Sequence, residues 1–235
     1  MGRVLTSIAL VMLLGGALCA WQEGPAAPRR VRIVLVGDST VTDDSGWGAG
    51  FRRLAPGAEV INLAANGRSS KSFIAEGRWA EALEKRENYY LIQFGHNDEP
   101  GKGPERETDP NTTYRANLAR YVEEARGIGA TPVLVTSLVR RLFNGDGTIR
   151  TTQTPYVDAV RALAAEKRVP LIDLHEISRD DAVHAGDEVW AELSPRDDKG
   201  QVDRTHLNDK GGDVVGRMVA DALRTVVPAL ASVLR

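Results

Sequence analysis

Four short blocks of this sequence carry the residue types of nucleophilic chemistry: Gly37-Asp38-Ser39-Thr40, Asn66-Gly67-Arg68-Ser69-Ser70, Gly95-His96-Asn97-Asp98 and Asp203-Arg204-Thr205-His206. A serine hydroxyl attacks well only when a base takes its proton, and an imidazole oriented by a carboxylate does so efficiently. Asp203 and His206 stand three residues apart. In a turn they fold onto each other, the carboxylate bonding one ring nitrogen while the other faces the serine. Gly67 offers a backbone N–H and Asn97 a side-chain amide, the donor types that bind a developing oxyanion. Each block also has a plainer reading. Asp, Ser and Thr after a strand cap helices, Gly67 suits a turn, Asn97 a helix cap, Asp203 a turn and Asn208 the N-cap of the last helix. The chemical reading gains because all four blocks fall at the ends of elements and in chain order.

Those elements follow from the apolar pattern. Short β-branched runs alternate with stretches of helical period, as in a parallel sheet covered by helices. Strands are predicted at Val31–Val36, Val60–Leu63, Tyr89–Phe94, Pro132–Thr136 and Pro170–Leu174. Ser39 then lies at the carboxyl end of the first strand, where open α/β sheets bind ligands. The Gly67 and Asn97 blocks follow the second and third strands, so a 2-1-3 order places them on either side of the serine. Helices are predicted over Tyr114–Arg126, stopped by Gly127 and Gly129; from Thr154 as N-cap with Pro155 in the first turn; and over 209–226, with Val215, Val219, Ala222 and Leu223 as its buried stripe. Val139–Thr152 and His175–Val202 read as loop-rich rims or lids. With strands ~4.8 Å apart, His175–Val202 must carry the chain back over the strand ends to bring His206 to Ser39.

At 235 residues, 42% hydrophobic and 26% charged, the chain fits one globular domain. A net charge of −2 removes the electrostatic reason to expect nucleic-acid or anionic-membrane partners. No phosphate-loop pattern follows the first strand, and His96, His175 and His184 lack ligand spacing, so neither a cofactor nor a metal is expected. Asp43-Asp44 and Asp197-Asp198 read as exposed loop acids. Residues 1–20 read as a signal peptide, with Arg3, an apolar run over Val4–Leu18 and cleavage after Ala20. Residues 21–30 form a Pro-containing linker and 31–235 the domain. The expectation is a secreted or periplasmic monomer without stable membrane association. Cys19, the only cysteine, leaves with the signal, which excludes a disulfide framework.

Together with Gly46-Trp47-Gly48, the four blocks resemble the SGNH (GDSL-like) hydrolases, and within them the rhamnogalacturonan acetylesterase branch, over nearly the whole chain after the signal. Thr40 stands where the family usually has Leu after Gly-Asp-Ser, a departure common in the acetylesterase branch. The resemblance implies a flavodoxin-like three-layer α/β/α sandwich with a five-stranded parallel sheet. It makes Ser39 the nucleophile, completes the triad with Asp203 and His206, and builds the oxyanion hole from the N–H groups of Ser39 and Gly67 and the Asn97 amide. The reaction implied is acyl transfer through an acyl-enzyme, with no cofactor, on acetylated plant cell-wall polysaccharide of the rhamnogalacturonan or pectin type.

Two further residues suit such a substrate. Trp47 offers either a sugar-stacking platform or a packed core ring, and Arg68, with Lys71 behind it, either a partner for a uronate carboxylate or a solvated charge. No run near the site reads as an apolar groove, which favours acetate over a long acyl chain. The alternatives are an esterase, lipase or thioesterase of the same family acting on acetyl-xylan or a lipid, an inert carbohydrate-binding module, and a flavodoxin-like nucleotide binder. An inert module has no need of a complete triad. A nucleotide binder leaves the Gly-His-Asn-Asp and Asp-x-x-His blocks unexplained.

Overall fold

Alternation along β1 (Val31–Gly37) turns Ile33 and Leu35 to one side and Val34 and Val36 to the other, and all four are fully buried. A strand apolar on both faces needs cover on both. The computed structural model describes residues 30–235. The predicted signal segment 1–20, and the linker up to residue 29, lie outside the described residues. β1 is flanked by β2 (Ala58–Asn62) and β3 (Tyr89–Gln93), and β4 (Thr131–Val135) and β5 (Leu171–Ile172) complete a parallel sheet of order β2-β1-β3-β4-β5. The expected 2-1-3 core and the five parallel strands are both present.

The helices are α1 (Gly48–Arg53), α2 (Ser70–Ala75), α3 (Arg78–Glu84), α4 (Thr113–Gly127), α5 (Thr154–Lys167), α6 (Leu174–Ala185), α7 (Asp187–Glu192) and α8 (Asp209–Val226). Helices α1, α6, α7 and α8 pack on the Ile33 and Leu35 side, and α2 to α5 on the Val34 and Val36 side. This is the three-layer α/β/α sandwich. Helix α8 has the predicted bounds and is capped by Asn208, whose Oδ1 accepts from the Gly211 N–H at 3.0 Å. Thr154 is the first residue of α5, one position inside the expected cap.

His175–Val202, expected to be loop-rich, is mostly helical. Leu174, Ser178 and Ala182 recur at four-residue spacing on the buried face of α6, but a serine and an alanine carry too little apolar signal to mark that face. Leu174 consequently opens α6, whereas the fifth strand was expected to run to it. Val139–Thr152 is irregular, held by one bridge between Phe143 and Ile149.

Helices α1 and α8 meet backbone to backbone. A Cβ on Gly50 would lie 2.0 Å from the Gly212 carbonyl oxygen, and one on Gly216 would lie 2.4 Å from the Phe51 nitrogen. Helix α1 follows the Ser39 turn and α8 follows His206, so this seam sets how closely the two approach. The Leu207 N–H adds a bond to the Ser45 carbonyl at 2.9 Å. Gly216→Ala should therefore lower stability by roughly 1–3 kcal/mol, as overpacking does. Gly127→Ala, where an added Cβ meets nothing within 4 Å, should change it little. Denaturant unfolding of the two variants checks this, and equal midpoints would contradict the seam.

Candidate active site

β1 ends at Gly37 and the chain reverses through Asp38-Ser39-Thr40. The reversal is fixed locally: the fully buried Asp38 carboxylate accepts from the Thr40 N–H at 2.9 Å and the Thr40 hydroxyl at 2.7 Å. The Thr40 hydroxyl accepts from the Gln93 amide at 2.6 Å, and Gln93 accepts from the Trp47 indole at 3.0 Å. Trp47, expected as a possible sugar platform, is fully buried edge-on to Phe51. That corrects the expectation. The indole braces the Ser39 turn from inside, and no sugar can reach it.

Ser39 Oγ lies 2.8 Å from His206 Nε2, and His206 Nδ1 lies 2.7 Å from Asp203 Oδ2. The other Asp203 oxygen accepts the N–H groups of Thr205 at 2.7 Å and His206 at 3.0 Å. The His206 bond and these two amides outweigh partial burial and hold the Asp203 carboxyl well below the usual carboxylate range. A carboxylate facing Nδ1 keeps the proton there, so Nε2 is free to accept the Ser39 proton.

On the other side of Ser39, the loop after β2 runs alongside β1, with the Ala65 N–H bonded to the Gly37 carbonyl at 3.0 Å. Gly67 has φ +75°, left-handed backbone in which a glycine is free of strain. Among the described residues no protein group accepts from the backbone N–H of Ser39 or Gly67. Asn97 gives one amide hydrogen to the Arg68 carbonyl at 3.2 Å and keeps the second. These three donors are the ones expected around an oxyanion.

Asp98 ties the two loops together. Its buried carboxyl accepts from Ser70 Oγ at 2.6 Å, Ser70 N at 3.1 Å and Thr108 Oγ1 at 3.0 Å. Burial pushes it up to about 7, against the pull of Ser70 and Thr108. Behind the serine turn, His96 is buried with Nδ1 3.5 Å from Asp38 Oδ2. Burial alone would raise the Asp38 carboxyl, but His96 and Thr40 outweigh it and hold it below its ordinary value. His175 is buried against the Ser137 carbonyl, and burial lowers its imidazole. Among the described residues no group of three or more His, Cys, Asp or Glu side chains is placed to hold a metal ion.

Arg68 lies on the rim, but its guanidinium donates to Glu76 at 3.0 Å and to the Asn66 carbonyl at 2.7 Å. Lys71 donates to the Pro104 carbonyl at 2.6 Å. Both expected uronate partners thus already have protein partners.

Sequence reasoning missed Arg141, which is fully buried over the Trp190 ring. Its guanidinium donates to the carbonyls of Thr205 at 2.7 Å and His206 at 2.5 Å and to Ser194 Oγ at 3.0 Å, while its backbone N–H donates to the Arg204 carbonyl at 2.9 Å. Burial lowers its pKa to about 10, so it stays charged at neutral pH. One side chain therefore clamps the turn that carries Asp203 and His206. The available sequence signal was an Arg140-Arg141 pair set between Val139 and Leu142, a few residues past a buried strand.

The GDSL-like Lipase/Acylhydrolase family model matches residues 35–214. A rhamnogalacturonan acetylesterase of Bacillus subtilis is 37% identical over 211 residues, covering 82% of this chain and 89% of the relative. A probable rhamnogalacturonan acetylesterase of the same organism is 35% identical over 216 residues, 86% of this chain and 97% of the relative. Among solved structures, the Bacillus subtilis protein YxiM superposes with a TM-score of 0.73 at 24% identity, over 84% of this chain and 57% of that one, and shares the fold.

The clamp is testable. In Arg141→Lys the charge stays, but a point cation cannot satisfy the same set of acceptors as a planar fork. With His206 as the base, the turn should loosen and kcat fall by about 10–100-fold at little change in KM. Steady-state kinetics on a variant with wild-type circular dichroism checks this, and an unchanged kcat would contradict it.

Proposed function

Given that the chain belongs to the GDSL-like Lipase/Acylhydrolase family and is a carboxylic ester hydrolase, we propose that it is an exported serine acetylesterase acting on acetylated polysaccharide of the rhamnogalacturonan type. The observation that carries this reading is the continuous contact from Ser39 through His206 to Asp203, at 2.8 and 2.7 Å, beside unengaged oxyanion donors.

In the proposed mechanism Ser39 Oγ attacks the acetyl carbonyl carbon as His206 Nε2 takes its proton. The new C–O bond places negative charge on the carbonyl oxygen, where the N–H groups of Ser39 and Gly67 and the Asn97 amide meet it. The tetrahedral centre then collapses, breaking the bond to the sugar oxygen, which leaves as an alcohol with the proton from His206. Water, deprotonated by His206, attacks the acetyl-serine by the same steps and releases acetate. Asp203 holds the imidazole tautomer and faces its positive charge throughout.

The acetyl group and the polysaccharide are supported by the names of the relatives at 37% and 35% identity. Export is supported by the character of residues 1–20. Of the two substrate contacts expected from sequence, the buried Trp47 is excluded. Arg68 already spends its Nε on Glu76 and its Nη1 on the Asn66 carbonyl.

Acetate release should be faster from acetylated rhamnogalacturonan than from acetylated xylan, and p-nitrophenyl acetate should turn over faster than the octanoate. Preference for the octanoate would overturn the acetylesterase reading, and preference for xylan would move the substrate to that polymer. Ser39→Ala should cost on the order of 10⁴–10⁶ in kcat without unfolding. Retention of a tenth of wild-type turnover would remove Ser39 as nucleophile. Asn97→Ala should cost roughly 10²–10³ in kcat with KM little changed. A change confined to KM would make Asn97 a ground-state binding residue.

A further inference from the structure

Beside the Asp203–His206 turn is a pocket of about 260 Å³ whose lining includes Arg141, Asn144, Arg150, Asp187 and Arg204. Its charge is unbalanced. Arg204 is paired with Asp187, and two of its guanidinium nitrogens face the two carboxylate oxygens. Arg141 spends its hydrogen bonds on uncharged carbonyls and a hydroxyl, and its Nε is buried without an acceptor. Among the described residues the Arg150 side chain has no ion pair or hydrogen bond. Three guanidinium groups thus share a small concavity with one carboxylate, Asp203 offsetting part of the Arg141 charge through the turn.

Arg150 is presented by a built loop. Its N–H donates to the Leu142 carbonyl at 3.0 Å, Asn144 N donates to the Thr148 carbonyl at 2.7 Å, and Phe143 and Ile149 form a bridge. The backbone carrying the guanidinium is therefore fixed, which reduces the entropy that capture of an anion would cost.

We infer that this pocket is a subsite for a carboxylate of the substrate chain, a uronate residue near the acetylated sugar, held by the planar fork of Arg150 in the field of Arg141 and Arg204. The inference rests on the acidic-polysaccharide reading above and deepens it. Three observations lead to it: the surplus of cations, the guanidinium without a partner, and the position of Arg204 between Asp203 and His206 in sequence. The turn that contributes Arg204 to the pocket also carries the imidazole that meets Ser39. The planar donors of Arg150 match a carboxylate in a bidentate arrangement. Arg68 and Lys71 are already engaged elsewhere on the rim, and among the guanidinium groups lining this pocket Arg150 is the one free for the role.

The test uses Ser39→Ala protein, which should bind without turnover, with and without Arg150→Ala. Trigalacturonate, the matching neutral trisaccharide and inorganic phosphate are titrated calorimetrically at fixed ionic strength. Trigalacturonate should bind, and its Kd should rise about tenfold when Arg150 is removed, a change equivalent to ~1.4 kcal/mol. Arg150→Lys should recover only part of that loss, because a point charge lacks the fork. The same Kd with and without Arg150 would overturn the subsite, as would equal binding of the neutral trisaccharide. Phosphate binding as tightly as trigalacturonate would show a general anion site and overturn it as well. The two readings fail separately. Acetate release from acetylated rhamnogalacturonan without Arg150-dependent binding removes the subsite alone, whereas Arg150-dependent binding without acetate release supports the subsite and removes the substrate reading.

Discussion

Where α1 and α8 cross, no side chain separates the two backbones, because Gly50, Gly212 and Gly216 supply none. Ser39 and His206 are 167 residues apart in sequence, and each lies on the segment that leads into one of these helices. The sheet cannot set their distance. β1 fixes the serine, but the chain leaves the sheet at β5, three positions away, long before it reaches His206. The imidazole is brought back by helix docking, and the Oγ to Nε2 distance of 2.8 Å inherits the tolerance of that contact. Proton transfer needs reacting groups held within about 0.5 Å of the productive geometry, a demand that rigid backbone contact meets better than interdigitated flexible side chains.

On either side of Ser39 the loops are held by buried ionisable groups with mostly uncharged partners. Arg141 binds the carbonyls behind the Asp203–His206 turn, and Asp98 gathers the hydroxyls and N–H behind the Gly67 and Asn97 loops. Each such group is expensive to bury and tolerable only with several hydrogen bonds, so the loops that supply those bonds lose their freedom to rearrange. Irregular backbone acquires the rigidity of regular structure in this way. The proposed oxyanion donors and the proposed base are accordingly held from behind by groups that need not touch the substrate.

Much of this was legible in the sequence because it is local. β-branched runs mark strands, and a Gly-Asp-Ser-Thr block after such a run places its serine at the carboxyl end of the sheet. Asp203 and His206 are close in sequence, so their mutual bond needs only a turn. Asn208 capping α8 was equally visible. What escaped depends on the far side of the molecule. Trp47 between two glycines reads equally as a sugar platform or a packed ring until Gln93, 46 residues away, is seen to accept its N–H. Arg141 is charged, which reads as surface, and only Trp190 and the Thr205 and His206 carbonyls explain its burial. Helix α6 was hidden because its buried face carries Ser178 and Ala182, whose small side chains fit a close contact but give no periodic apolar signal.

The α1 to α8 seam also bears on how the protein would tolerate heat. Val215, Val219 and Leu223 dock α8 on the outside of a sheet that is itself sealed on both faces. A helix in the outer layer can detach in a local opening that leaves the strands paired, at lower free-energy cost than global unfolding. Such an opening carries His206 away from Ser39 while most of the fold survives. Thermal inactivation would then precede melting of the sheet and remain reversible as long as the strands stay paired, so the upper working temperature belongs to the fit of one helix rather than to the stability of the whole domain.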